Sequence, residues 1–136
     1  MANSEETGEL TGKIALISGA SRGLGRSMAI ALAGAGATIG LVARDNAKLQ
    51  DVKQEIEAAG GKAATFTADV SKEEDVLRLE KEVSSELGRV QILINNAGTN
   101  IRKNLVEFSL AEWHTVMDTN LTSVFLMCRA FVPHMK

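Results

Sequence analysis

Four short apolar runs, each followed by a turn signal and then a helical pattern, restrict this chain to very few folds. Ile14–Ser18 and Thr38–Ala43 are β-rich, as are residues 63–67 and 90–95. The last of these, VQILIN, is apolar almost throughout, as a strand covered on both faces requires. Residues 24–33 read as a helix, and over 46–59 Leu49, Val52, Ile56 and Ala59 share one helical face. Gly60-Gly61 then stops that helix as a C-terminus expects. Ser71-Lys72-Glu73-Glu74 is a capping-box signature that predicts a helix over 71–87, with Val76, Leu79 and Val83 facing inward and Gly88 ending it. Ser109-Leu110-Ala111-Glu112 is a second capping box, with Phe108 and Trp113 in the positions of a hydrophobic staple. A long helical run follows to the last residue, its sole proline being Pro133. Strands alternating with helices imply right-handed βαβ units, hence an α/β fold with a parallel sheet and helices on both faces. No short-period repeat, low-complexity stretch or linker marks an internal domain boundary.

The junction of the first strand and first helix reads Ile17-Ser18-Gly19-Ala20-Ser21-Arg22-Gly23-Leu24-Gly25-Arg26. The first turn of any helix leaves backbone N–H groups without intrahelical partners, and the macrodipole adds partial positive charge there. A phosphate fits that end if no side chain blocks it. Gly19 permits the sharp turn off the strand, Gly23 lets backbone approach a pyrophosphate, and Gly25 lets the helix lie close on the sheet. The alternative is that the glycines only punctuate a βα loop; three in this context favour cofactor binding. No Gly-Lys-Ser/Thr follows, which excludes a P-loop. The second strand ends in Ala43-Arg44 rather than in a carboxylate that takes ribose hydroxyls, which disfavours a methyltransferase-type site.

Bulk properties narrow the partners. The chain of 136 residues is the size of one domain, and its 45% hydrophobic and 24% charged residues are those of a globular protein. A net charge of −2 without a dense basic stripe argues against nucleic-acid binding. No apolar run approaches the roughly 18 residues of a membrane span. A single cysteine, Cys128, excludes an internal disulfide. The first ten residues, MANSEETGEL, are polar and acidic, unlike a signal or transit peptide, and read as a mobile tail. The expected location is cytoplasmic.

Together with Asp69-Val70, Asn95-Asn96-Ala97-Gly98 and Asn120, in that order and at these separations, the glycine loop resembles the short-chain dehydrogenase/reductase family. The likeness runs from about Gly12 to the last residue. It implies a Rossmann-like doubly wound sheet, here its N-terminal part with strand order 3-2-1-4, over residues 11–136. It also implies that Gly19, Ser21, Arg22, Gly23, Leu24 and Gly25 wrap the diphosphate of a nicotinamide dinucleotide. Asp69 would accept a hydrogen bond from the adenine amino group, with the Val70 backbone beside it. Asn95, Asn96, Ala97 and Gly98 would end the fourth strand beneath the adenine ribose and hold the central sheet together. Asn120 would be the helical member of the family's Asn-Ser-Tyr-Lys catalytic set. A simple N-terminal helix charge remains open for Asp69, and a purely structural helix–strand hydrogen bond for Asn120.

Charge points to the phosphorylated cofactor. The family places an aspartate at the end of the second strand when NAD is preferred, and Ala43 stands at that place here. Arg44 follows, and Arg22 lies within the glycine loop. Two guanidinium groups suit the charge-assisted, bidentate hydrogen bonds of an adenosine 2′-phosphate, so the expected cofactor is NADP(H) rather than NAD. The alternative for Arg44 is a solvated charge paired with a neighbour. Asp45, close to the ribose position, reads as the cap of the helix beginning at Asn46. His114 and His134 lack ligand spacing, so no metal site is expected. Arg102-Lys103 is a solvated loop or a substrate contact.

The family moves hydride between nicotinamide and a substrate carbon, a tyrosine with its lysine neighbour handling the proton. This chain has no tyrosine. The resemblance therefore implies the cofactor-binding portion of a longer oxidoreductase, inactive alone, truncated before the Tyr-x-x-x-Lys; a non-catalytic NADP(H)-binding or subunit-pairing module is the alternative. From 121 to 132, nine of twelve residues are apolar and surround the helix axis, which requires burial on more than one side. The family commonly pairs subunits through this helix, so residues 109–135 are expected to form a homo-oligomer, dimer or tetramer. Similarity to gluconate and deoxygluconate dehydrogenases, 3-oxoacyl-carrier-protein reductases and tropinone-type reductases implies a small carbonyl or alcohol substrate. Arg102, able to attract a carboxylate, favours sugar acids.

Overall fold

The computed structural model describes residues 8–135. Strands β1 (Ile14–Ser18), β2 (Thr38–Ala43), β3 (Lys62–Thr67) and β4 (Ile92–Ile94) form one parallel sheet in the order β3-β2-β1-β4. Five helices accompany them: α1 (Gly23–Gly34), α2 (Asn46–Ala58), α3 (Glu73–Glu86), α4 (Leu110–Met117) and α5 (Ser123–Phe131).

Side chains alternate across a strand, so each strand feeds two cores. Ala15 and Ile17 of β1, with Ile39 and Leu41 of β2, meet Ala29 of α1 and Leu49, Val52 and Ile56 of α2. Leu16, Val42 and Phe66 face the other way, onto Val76, Leu79 and Val83 of α3 and Leu126, Met127 and Phe131 of α5. The sheet is thus covered on both faces, as the alternation of the sequence predicts. On the second face Gly40 leaves room for Leu16, whose Cδ1 lies 2.7 Å from where a Cβ on Gly40 would sit.

Several local expectations need correction. Ser71 does not cap α3, because its hydroxyl donates to Asp69 Oδ1 at 2.6 Å. The helix begins at Glu73, with Lys72 in the cap position and no side-chain cap; Glu73, Glu74 and Asp75 supply the negative charge its first turn favours. The expected fourth strand of 90–95 contracts to Ile92–Ile94. Beyond Ile94 the chain turns its N–H groups to the Ser18 hydroxyl instead of continuing the ladder. The long C-terminal helix is interrupted by a π-helical turn at Asp118–Thr122 and ends in a 3₁₀ turn, Val132–Met135, that contains Pro133. Of the stretch read as a tail, residues 1–7 lie outside the described residues. Leu10, however, packs against the first core, and its N–H donates to Ala35 O at 2.9 Å.

The Ser109 capping box forms in full, with Ser109 Oγ accepting from Glu112 N–H and Glu112 Oε1 from Ser109 N–H, each at 3.0 Å. No helix among the described residues is long and apolar enough to cross a membrane. Phe131, 1% exposed, ties α5 to the second core. Phe131→Ala is expected to lower the unfolding free energy by about 3–5 kcal/mol in denaturant titrations, the range for truncating a buried aromatic. Val106→Ala, at a 91% exposed position, is expected to change it by less than about 0.5 kcal/mol.

Candidate functional site

All four strands end at one cleft of about 950 Å³. It is lined by Gly19, Ser21, Arg22, Gly23 and Leu24 after β1, by residues 43–46 and Lys48 after β2, by Ala68, Asp69 and Val70 after β3, and by Asn96, Ala97 and Gly98 after β4. The two halves of the sheet are wound in opposite directions from β1, so the cleft lies at the topological switch point where open α/β sheets bind ligands.

The glycine loop is shaped by approaches that only glycine allows. Gly19 has φ 64° and packs on the backbone of Asn96 and Ala97; a Cβ there would lie 3.0 Å from Ala97 N. A Cβ on Gly25 would overlap Gly19 O and lie 2.5 Å from Asn96 Nδ2. Gly23, at φ 58°, has open space where its Cβ would stand. The start of α1 has no side-chain cap and no acidic residue in its first turn. By contrast α2 is capped by Asp45, whose side chain accepts from Lys48 N–H at 3.3 Å, and α4 by Ser109. The first-turn N–H groups of α1 therefore face the cleft with neither a cap nor an acidic side chain to offset their positive end, which suits a diphosphate.

Ser18, only 1% exposed, binds β1 to the end of β4 at the cleft floor. Its Oγ accepts from Asn96 N–H and Ala97 N–H, both at 3.1 Å, and lies 3.5 Å from Ile94 O. Asn96 Nδ2 donates to Gly19 O at 3.1 Å, completing the link. Sequence reading passed over Ser18, whose only signal is a hydroxyl at the last position of a buried strand.

Arg22 and Arg44 are exposed at the rim, and neither makes an ion pair among the described residues. Lys48 joins them as a third cation that the sequence did not reveal as part of the site. Its signal was the Asp45 cap, since the residue whose N–H the cap takes stands in the first turn, at the cleft mouth. Asp69 is half-buried between buried Ala68 and Val70. Burial raises its pKa, but hydrogen bonds from the Ser71 side chain and backbone, then the positive charges of Arg44 and Lys72, outweigh that and lower it overall.

Three expected site residues lie outside the cleft lining. Gly25 is buried beneath the loop, where it sets the helix approach. Asn95 is turned back towards α5, with its Nδ2 3.6 Å from Cys128 Sγ, and its buried Oδ1 has no partner among the described residues. Asn120 sits in the π turn, where its Oδ1 accepts from Thr99 N–H at 2.7 Å and its Nδ2 donates to Thr99 O at 2.8 Å. It braces the loop that follows Gly98, while its neighbour Thr119 lines the cleft.

Fold and site together define a dinucleotide-binding α/β domain. The short chain dehydrogenase family model matches residues 13–136, and the chain belongs to that family. It is 40% identical over 131 residues to a chloroplastic tropinone reductase homologue of Arabidopsis thaliana, covering 96% of this chain and 41% of the relative. It is 39% identical over 126 residues to gluconate 5-dehydrogenase of Gluconobacter oxydans, covering 93% of this chain and 49% of the relative. A metagenomic short-chain oxidoreductase solved in complex with NADP superimposes with a TM-score of 0.89 at 38% identity, covering 93% of this chain and 57% of that one. The chain thus spans less than half the length of these curated relatives.

Ser18→Ala would take the acceptor from two part-buried N–H groups, those of Asn96 and Ala97, and is expected to cost about 1–3 kcal/mol of unfolding free energy. An unchanged denaturation midpoint would show that the clamp carries no load. Asp69 supplies an acid-sensitive contribution. Its folded pKa lies below the unfolded value, so the contribution is complete above about pH 4 and is lost as pH falls through the lower folded value. Asp69→Asn is expected to flatten that part of the stability–pH curve.

Proposed function

We propose that this chain is the cofactor-binding portion of an NADP(H)-dependent oxidoreductase that interconverts a carbonyl and a secondary alcohol. The observation that carries this reading is the pairing of an uncapped α1 N-terminus with three cations at the same cleft, Arg22, Arg44 and Lys48, that have no ion pairs among the described residues. Several basic residues elsewhere are paired: Arg26 with Glu55, Arg78 with Glu82, Lys103 with Glu112, Arg129 with Glu73. When bound, the nicotinamide supplies or takes up the hydride. The glycine loop would hold the diphosphate, Arg22 and Arg44 the 2′-phosphate, and Asp69 with the Val70 backbone the adenine. Asn95 to Gly98 would floor the ribose site, and Asn120 would hold the substrate-side loop, within reach of a proton relay.

The absence of tyrosine supports a division of labour. These residues bind cofactor, and proton transfer belongs to groups outside them; the 136-residue chain alone is inactive in this reading. The same absence favours a second reading, a non-catalytic NADP(H)-binding or subunit-pairing module. Residues 109–135 are proposed to pair subunits, because Leu110, Trp113, Leu121 and Phe125 are at least half exposed. A sugar acid is the favoured substrate over a 3-oxoacyl group: Arg102, exposed and without an ion pair among the described residues, lies on the loop leaving the cleft. The lone free thiol of Cys128 suits the reducing compartment of a proposed cytoplasmic location.

Parallel NADPH and NADH titrations test the cofactor reading. Wild type is expected to prefer NADPH, and Arg44→Ala to weaken NADPH by about tenfold or more, the worth of a charge-assisted bond, with NADH unchanged. Equal or tighter NADH binding by wild type would overturn it.

A further inference from the structure

The adenine end of the cleft contains a hydrogen-bond relay with no evident purpose in the fold alone. Asp69 Oδ1 accepts from both Ser71 N–H, at 3.0 Å, and Ser71 Oγ–H, at 2.6 Å. Its Oδ2 has no hydrogen bond among the described residues and remains available at the cleft. The Asp69 backbone is held as well, its N–H donating to Asp75 Oδ2 at 2.7 Å. Asp75 stands in the first turn of α3, with Arg78 Nη2 3.8 Å from the same oxygen. Arg78 Nη2 also donates to Thr67 O, the last residue of β3, at 2.9 Å. Both ends of the link between β3 and Asp69 are thereby tied to one rigid helix.

Two bonds to one carboxylate oxygen suppress rotation about the side chain, and the bond to the backbone fixes where the carboxylate starts. A lone exposed carboxylate would sample many orientations and lose entropy on binding. Ser71 would have been a better cap for α3 than Lys72, yet its hydroxyl is given to Asp69. The depressed pKa of Asp69 agrees with a carboxylate kept ionised and oriented.

We infer that Ser71 and Asp75 are positioning residues that aim the free oxygen of Asp69 at the exocyclic amino group of adenine, and so set selectivity for adenine over other purines in the cofactor. The inference rests on Asp69 reading adenine, as proposed above. The test compares binding of NADPH with that of its deamino analogue, in which hypoxanthine presents a carbonyl where adenine presents the amino group. Wild type is expected to favour NADPH by about tenfold, the worth of one hydrogen bond to a charged group. Asp69→Ala should abolish that ratio. Ser71→Ala and Asp75→Ala should each reduce it by about threefold or more by weakening NADPH, with the analogue's affinity unchanged. Asp75→Asn, which keeps an oxygen acceptor, should preserve it.

If Asp69→Ala removes the preference while Ser71→Ala and Asp75→Ala retain the wild-type ratio, the positioning role is refuted and the adenine contact stands. Equal weakening of both ligands in those two variants would also refute it, since that is what a merely structural role produces. If Asp69→Ala leaves the ratio unchanged, the adenine contact itself fails, and the positioning role with it. Should Asp75→Ala not unfold cooperatively, Ser71→Ala decides alone, because its backbone bond to Asp69 survives.

Discussion

The whole site depends on how closely α1 lies against the end of β1. That approach exists because Gly25 has no Cβ to collide with Gly19 O and Asn96 Nδ2. It places an uncapped helix N-terminus over the strand end instead of out in solvent. Ser18 then fixes the partner side, since its hydroxyl takes the N–H groups by which β4 would otherwise have continued. Gly25 seats the helix, hydrogen bonds of Ser18 and Asn96 join β1 to the end of β4, and the cleft is the space they leave.

Charge gathers on the cleft rim. Arg26, Arg78 and Arg129 on the helices are matched with acids, whereas Arg22, Arg44 and Lys48 at the cleft have no ion pair among the described residues. Asp45, which sits among the rim cations, is engaged as a helix cap. The positive potential is therefore conserved for a ligand. The proposed ligand, a dinucleotide carrying an additional phosphate, has anionic groups to match both the loop and the rim.

The π turn at Asp118–Thr122 has a comparable role on the opposite side of the cleft. A regular helix through these residues would carry Asn120 elsewhere relative to the sheet. With the extra residue in the turn, its amide meets both backbone groups of Thr99, and Gly98 leaves the room; a Cβ there would lie 3.2 Å from Asn120 Oδ1. Fold irregularity and site geometry coincide, as π-bulges commonly show.

Periodicity and glycine placement alone determined the parallel sheet, the faces of α2 and α3, and the glycine-rich turn between β1 and α1. These are local: a two-residue or 3.6-residue repeat and a left-handed glycine are written in neighbouring residues. The Asp45 and Ser109 caps were legible for the same reason. Ser71 was misread because its hydroxyl had two possible acceptors within a few residues, and only the folded backbone shows which one wins. Lys48, Ser18 and the bracing of Thr99 by Asn120 were decided by tertiary structure, since they depend on which strand ends come together. The sequence lists the groups that can bind, but contacts between residues 77 to 79 positions apart, such as Ser18 with Asn96 and Ala97, form only when the sheet brings their strands side by side.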